Sequence, residues 1–281
     1  MKRYNVILLL ITLFLFFSCA KKTTELSLIK EKNLELQVLE AYEEGKKFLE
    51  TGDSLYAAKK FNEAEMLFPQ SVSAPKSAIM AAYSYYVQDY YGDAISELLR
   101  FKKIYPKYKD IDYVNYLLAI CYYEQIVDEK KDLQPIIKAK KQFNYIIKEF
   151  PDSEFALDAE FKIDLINNLL ASKEMYVGRY YLDKKKWIPA INRFRVVVDE
   201  YDTTIYVEEA LHRLVEVYYT IGLKSEAKKY ANLLGYNYKS SRWYEMSYSV
   251  FNEKYEKEKI KIKKNKSSIL NKAKSLFDLD E

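Results

Sequence analysis

Few residues in this chain could do chemistry. His212 is the single histidine among 281 residues, and it stands in a helical stretch between Leu211 and Arg213. It reads as a surface or inter-helix residue. A serine or cysteine nucleophile elsewhere would lack the imidazole base that a triad needs. The cysteines are Cys19 and Cys121. With one histidine they fall short of the roughly four ligands at set spacings that a Cys/His zinc site requires. Cys121 lies inside an apolar stretch at 117–123 and reads as a buried small hydrophobe, because a reactive thiol needs an exposed, electropositive setting. Adjacent carboxylates occur at Glu43 and Glu44 and at Glu208 and Glu209. On amphipathic helices these read as solvated faces, not as the paired acid and base of a glycosidase. Neither GxGxxG nor GxxxxGK[ST] occurs, which argues against dinucleotide and P-loop chemistry. The chain reads as a protein without enzymatic activity, metal or cofactor. Its 45 Lys+Arg against 41 Asp+Glu give a net charge of +4. That balance lacks the basic excess of a nucleic-acid binder, so no nucleic-acid partner is expected.

The N-terminus reads as an address. A cationic start, Lys2-Arg3, precedes an apolar run at 6–17 interrupted by Thr12 alone. The run is shorter than the roughly 20 residues of a spanning helix and has the size of a signal-peptide core. Phe16-Phe17-Ser18-Cys19 then resembles the bacterial lipobox, with Phe16 where leucine is usual. That resemblance implies removal of residues 1–18 and acylation of Cys19, with no other cofactor. Residues 19–33 follow as a linker.

The elements that could position a binding surface are helices. Apolar residues recur at three- and four-residue steps, with no convincing run of strict alternation. Pro69, Pro106 and Pro151 close matching aromatic–proline phrases, 37 and 45 residues apart. These spacings exceed the roughly 34-residue tetratricopeptide period, which points to that repeat with insertions. In register, the first unit places Gly45, Phe48, Ala57, Phe61 and Ala64 at the repeat's packing positions. The second places Ala78, Ala82, Tyr85, Ala94 and Leu98, with Phe101 too large for its slot. The third places Leu118, Ala119, Tyr122, Ala139 and Phe143, with eight extra residues within 124–135. A fourth holds Gly178, Tyr181, Trp187, Ala190 and Phe194, and a fifth Leu211, Val215, Tyr218, Gly222 and Ala227. The expected fold is therefore all-α: a tetratricopeptide solenoid of about five helix pairs over 34–244. Its N-terminal units cover 34–153 and its C-terminal units 154–244. A basic tail, helical or disordered, occupies 245–281.

In such a solenoid the first helix of each pair lines a concave groove. Tyr42, Tyr83, Tyr86, Tyr116 and Tyr123 fall at its groove-facing positions. Tyrosine offers a broad apolar face, a polar tip and few rotors, which suits extended peptides. The same residues could serve helix packing alone. Residues 254–274 hold nine lysines against two glutamates. That stretch reads as a solvated face, or as a contact for an acidic partner or anionic lipid.

The Cys19 leader followed by five units resembles the BamD (ComL-type) family of outer-membrane assembly lipoproteins. The phrases that carry it are Glu174 through Gly178 to Tyr180-Tyr181, Trp187 through Ala190 and Arg193-Phe194, and Glu200-Tyr201-Asp202-Thr203. Glu209-Ala210-Leu211, Tyr218 through Gly222-Leu223, and Asn237-Tyr238-Lys239 through Trp243-Tyr244 continue it, with Lys239 where the family has proline. The resemblance runs from Cys19 to about Tyr244. It implies a lipoprotein anchored in the outer membrane and facing the periplasm, within the BAM complex. Its implied partners are BamA, through the periplasmic POTRA domains, other Bam lipoproteins, and unfolded outer-membrane proteins received by the N-terminal units. By the family's motif, Arg193 matches the arginine that contacts BamA. The alternative is an envelope tetratricopeptide lipoprotein that scaffolds a pilus secretin or cell-division machinery.

Overall fold

The computed structural model describes residues 33–127 and 132–252. The leader 1–18, Cys19 and the lysine-rich stretch 254–274 lie outside them. The described residues form eleven α-helices and no strand. They are α1 (Leu34–Glu50), α2 (Ser54–Leu67), α3 (Ala74–Tyr86), α4 (Tyr91–Ile104), α5 (Ile111–Tyr123), α6 (Gln134–Glu149), α7 (Glu154–Asp183), α8 (Trp187–Glu200), α9 (Val207–Thr220), α10 (Lys224–Asn237) and α11 (Arg242–Phe251). Each helix packs on the next, and α1/α2 through α9/α10 are the five expected pairs.

Local chemistry sets the helix ends. Asn33, Asp53, Ser153 and Ser241 accept hydrogen bonds from backbone N–H groups in the first turns of α1, α2, α7 and α11. Helices α2, α4 and α6 stop two residues before Pro69, Pro106 and Pro151, as the restriction on the residue before proline requires. Helices α8 and α10 have no such proline and stop at the equivalent place. All five share an aromatic cap instead: Phe68, Tyr105, Phe150, Tyr201 and Tyr238, with φ between −122° and −144°. Each aromatic is half-buried, so side-chain anchoring ends the helix whether or not proline follows. The tight turns inside pairs use left-handed residues: Gly52 and Gly222 at φ 86°, Asp89 at 61° and Lys185 at 54°. Glycine reaches that region at no steric cost, and the two side-chain-bearing residues do so less readily.

Packing follows the small-against-large scheme. Gly45 lies against the Phe61 ring and Gly178 against the Phe194 ring, both too close for a Cβ. Ala57, Ala64, Ala78, Ala82, Ala94, Ala119, Ala139, Ala190 and Ala227 are all buried. Phe101 is not excluded by its slot. It is buried at the centre of the second unit, with Tyr105 and Tyr108 rings at 5.1 and 5.7 Å. The same slot holds Ala64, Ile146, Val197 and Leu234 in the other units, so the space between pairs varies and the side chain fills it.

Helix α7 differs from the rest. Its 30 residues make it about 45 Å long at 1.5 Å per residue. Ala159 and Ile166 in its first half join the core of the third unit, while Ala171 and Met175 join that of the fourth. One helix thus links the N-terminal and C-terminal halves. Helix α11 carries the array to Phe251, past the boundary expected at 244, because Trp243 and Ser247 pack on α9.

Candidate functional site

Arg193 lies on α8, where its Nη1 donates to both carboxylate oxygens of Glu174 on α7, at 3.0 and 3.3 Å. Its side chain is 44% exposed, so the pair is screened and contributes at most about 1 kcal/mol to the fold. Its Nε and Nη2 make no hydrogen bond among the described residues. The bridge therefore holds a cation at the surface with donors open to an incoming carboxylate. Such a fork favours bidentate contact.

A second charged cluster lies nearby in the array. Glu209 accepts from Arg179 at 3.0 Å and from Arg213 at 3.3 Å, and Arg213 also donates to Glu216 at 2.8 Å. Glu209 is thus not a solvated face: its side chain is 14% exposed and ties α7 to α9. Glu44 is likewise paired, with Lys60 at 2.8 Å, while Glu43 pairs with Lys46 at the surface. His212 is the inter-helix residue. It is buried on α9, its Nδ1 is 2.8 Å from Ser247 Oγ on α11, and its ring is 5.3 Å from that of Trp243. Its Nε2 is 3.4 Å from Glu216 Oε1 but without hydrogen-bond alignment. Burial pushes the Glu216 carboxyl up, yet His212 and Arg213 outweigh it and hold the group below its ordinary value.

The five groove tyrosines are all half-buried. The structure pairs Tyr83 with Tyr86 at 6.1 Å and sets Tyr116 and Tyr123 against Phe143 at 6.4 and 6.2 Å. Tyr42 stands apart, edge-on to Phe61 at 5.2 Å, with Lys76 Nζ 5.5 Å from its ring centroid. Tyr116 also stacks on Phe155 at 4.8 Å and donates to Asp158 at 2.7 Å, so it fastens α5 to α7. Burial pushes the phenols of Tyr86, Tyr116 and Tyr123 up, which keeps them neutral hydrogen-bond groups.

Cys121 is buried and its thiol is pushed up to about 12 by that burial, the environment of an inert thiol. Among the described residues no group of three His, Cys, Asp or Glu side chains could hold a metal ion, and no helix is long and apolar enough to cross a membrane. One surface escaped the sequence reading. A cavity of about 890 Å³ at the N-terminal end is lined by Val38, Phe68, Val72 and Tyr108, with Lys76 and Lys109. Val72 is 96% exposed there. An apolar residue in the loop phrase Ser71-Val72-Ser73 was the available signal.

Comparison with known proteins finds relatives over most of the array. Residues 35–233 match a family described as outer membrane lipoprotein, YfiO. The outer membrane protein assembly factor BamD of Caulobacter vibrioides is 39% identical over 236 residues, covering 84% of this chain and 76% of that protein. The same factor from Rickettsia prowazekii is 42% identical over 209 residues, covering 74% and 83%. Among solved structures, the TPR2AB-domain:pHSP90 complex of yeast Sti1 aligns at 16% identity and TM-score 0.42, over 77% of this chain and 83% of that one. With the family match spanning most of the helical array, the chain belongs to the YfiO family of outer membrane lipoproteins, the family of BamD.

Proposed function

We propose that this protein is an outer-membrane protein assembly factor, a non-catalytic scaffold of the BAM complex. The observation that carries the reading is the identity to two BamD assembly factors over most of both chains. In this reading Cys19, acylated, anchors the chain to the outer membrane with the array in the periplasm. The C-terminal half docks on the POTRA domains of BamA, with Arg193 offering its unused donors to a BamA carboxylate. The N-terminal half receives unfolded β-barrel proteins along Tyr83, Tyr86, Tyr116 and Tyr123. Tyr42 extends that surface toward the N-terminal cavity, which Lys76 also lines. Half-buried rings suit a transient receptor, since they offer exposed ring surface at little ordering cost; the Tyr116 hydroxyl is already held by Asp158. Helix α7 joins the two halves, so a client and BamA would be held on one rigid element. The test is affinity purification of the acylated protein from detergent-solubilised envelopes. BamA and other Bam lipoproteins should co-purify. Recovery of secretin or cell-division components without BamA would overturn the reading.

A further inference from the structure

We propose that the groove between α10 and α11 is the docking site of the chain's own segment 269–277. In each pair of the array a first helix is covered by a second. Helix α11 is a first helix whose second is not among the described residues. It leans on α9 through Trp243 and Ser247, and meets α10 through Tyr244, whose ring would be 2.8 Å from a Cβ on Gly235. This tilt leaves a cavity of about 600 Å³ between the two helices, lined by Tyr236, Tyr244, Tyr248 and Phe251 together with Lys228 and Lys239. Tyr236 is 83% exposed. An uncovered solenoid face is ordinarily polar; the face between α10 and α11 also shows Tyr236 and Tyr248 at its surface.

The sequence beyond Asn252 carries a fitting occupant. Ile269, Leu270, Ala273, Leu276 and Phe277 recur at i, i+1, i+4, i+7 and i+8, one face of a helix. As a helix that stripe is about 12 Å long, the length of two turns and a match for a groove between short helices. Asp278, Asp280 and Glu281 follow it directly, opposite in sign to Lys228 and Lys239. In this proposal the lysine-rich stretch between Phe251 and the stripe would be the tether. Residues 253–268 extend to about 50 Å at full reach, so distance is no barrier. Tethering sets an effective concentration of about millimolar, which turns a weak contact into an occupied one.

Disulfide trapping in the full-length acylated protein tests this. Ala231 on α10 lines the groove, and buried Cys121 does not compete. Ala231→Cys with Ala273→Cys should give an intramolecular disulfide at least about tenfold faster than Ser96→Cys with Ala273→Cys, whose partner position is exposed on α4. Adding Leu276→Asp and Phe277→Asp should cut the yield about tenfold, and these tail substitutions leave the array intact. A rate equal to the control, or one unmoved by the two aspartates, overturns the proposal. So does a product that is a dimer of this chain, or a cross-link of position 273 to another envelope protein, because either would give the groove or the tail a different partner.

Discussion

Gly178→Ala adds one methyl group where the fold has no room for it. Across the α7/α8 contact the new Cβ would lie 2.5 Å from Cε1, 2.9 Å from Cδ1 and 3.0 Å from Cζ of Phe194. Carbon atoms pack best at about 3.5–4.0 Å, so the ring would have to retreat by about 1 Å. Phe194 is fully buried and shares its core with Ala171, Met175, Ala190 and Val197, which leaves it nowhere to go. Overpacking of this kind costs about 1–3 kcal/mol, and a clash with three ring atoms belongs at the upper end. Alanine returns about 1 kcal/mol of helix propensity. The net loss is about 2 kcal/mol, or roughly 4–8 °C of melting temperature for an array of this size. Gly92 in α4 is the control, since a Cβ there meets nothing within 4 Å. Gly92→Ala should be neutral or stabilising by at most about 1 kcal/mol. Thermal melts followed by far-ultraviolet circular dichroism read both. A Gly178→Ala protein that melts at or above wild type would refute the close-approach account of the fourth unit.

Two further perturbations address the C-terminal core and the groove. The folded-state carboxyl of Glu216 lies below its ordinary value, so the stability it contributes is complete above about pH 4.3 and is lost as pH falls through the folded value. Glu216→Gln should therefore flatten the fall of melting temperature between about pH 5 and pH 3; an unchanged slope means the His212–Arg213–Glu216 cluster does not stabilise the array. Replacing Tyr83, Tyr86 and Tyr123 together by alanine should weaken binding of an aromatic-rich C-terminal β-barrel peptide by about tenfold or more, with BamA binding intact. Unchanged peptide affinity in a folded triple variant removes the groove assignment, and a variant that unfolds assigns these rings to packing.

The five pairs were legible because close helix approach forces small residues at fixed spacing, and Gly45, Ala119, Gly178 and Ala190 stand where geometry needs them. The doubled length of α7 is hidden by the pairing pattern, which implies a break between units, although no glycine or proline occurs between Pro151 and Gly178 to supply one. The stop signal was half-read. Proline is the conspicuous residue, but the aromatic cap is what all five second helices share. Glu209 differs from its sequence reading because Arg179 reaches it from α7, 30 residues away, and only the i,i+4 partner Arg213 on its own helix is legible in the sequence. His212 reached its inter-helix place, but Ser247 as its partner depends on α11, which lies beyond the repeat pattern. Arg193 is proposed from a family phrase alone. Its bridge to Glu174 spans 19 residues and becomes visible only when α7 and α8 pack.

Titration of the purified BamA POTRA domains against this protein tests the central claim most directly. Truncating or reversing one member of a buried interfacial charge pair costs about 2–5 kcal/mol. Arg193→Glu should therefore weaken binding at least about thirtyfold while circular dichroism stays that of a folded array, since Arg193 is 44% exposed and its bridge to the 18% exposed Glu174 contributes at most about 1 kcal/mol to the fold. Equal affinities for wild type and Arg193→Glu would contradict the docking of the C-terminal half through this arginine, and no measurable binding by wild type would contradict the assembly-factor reading itself.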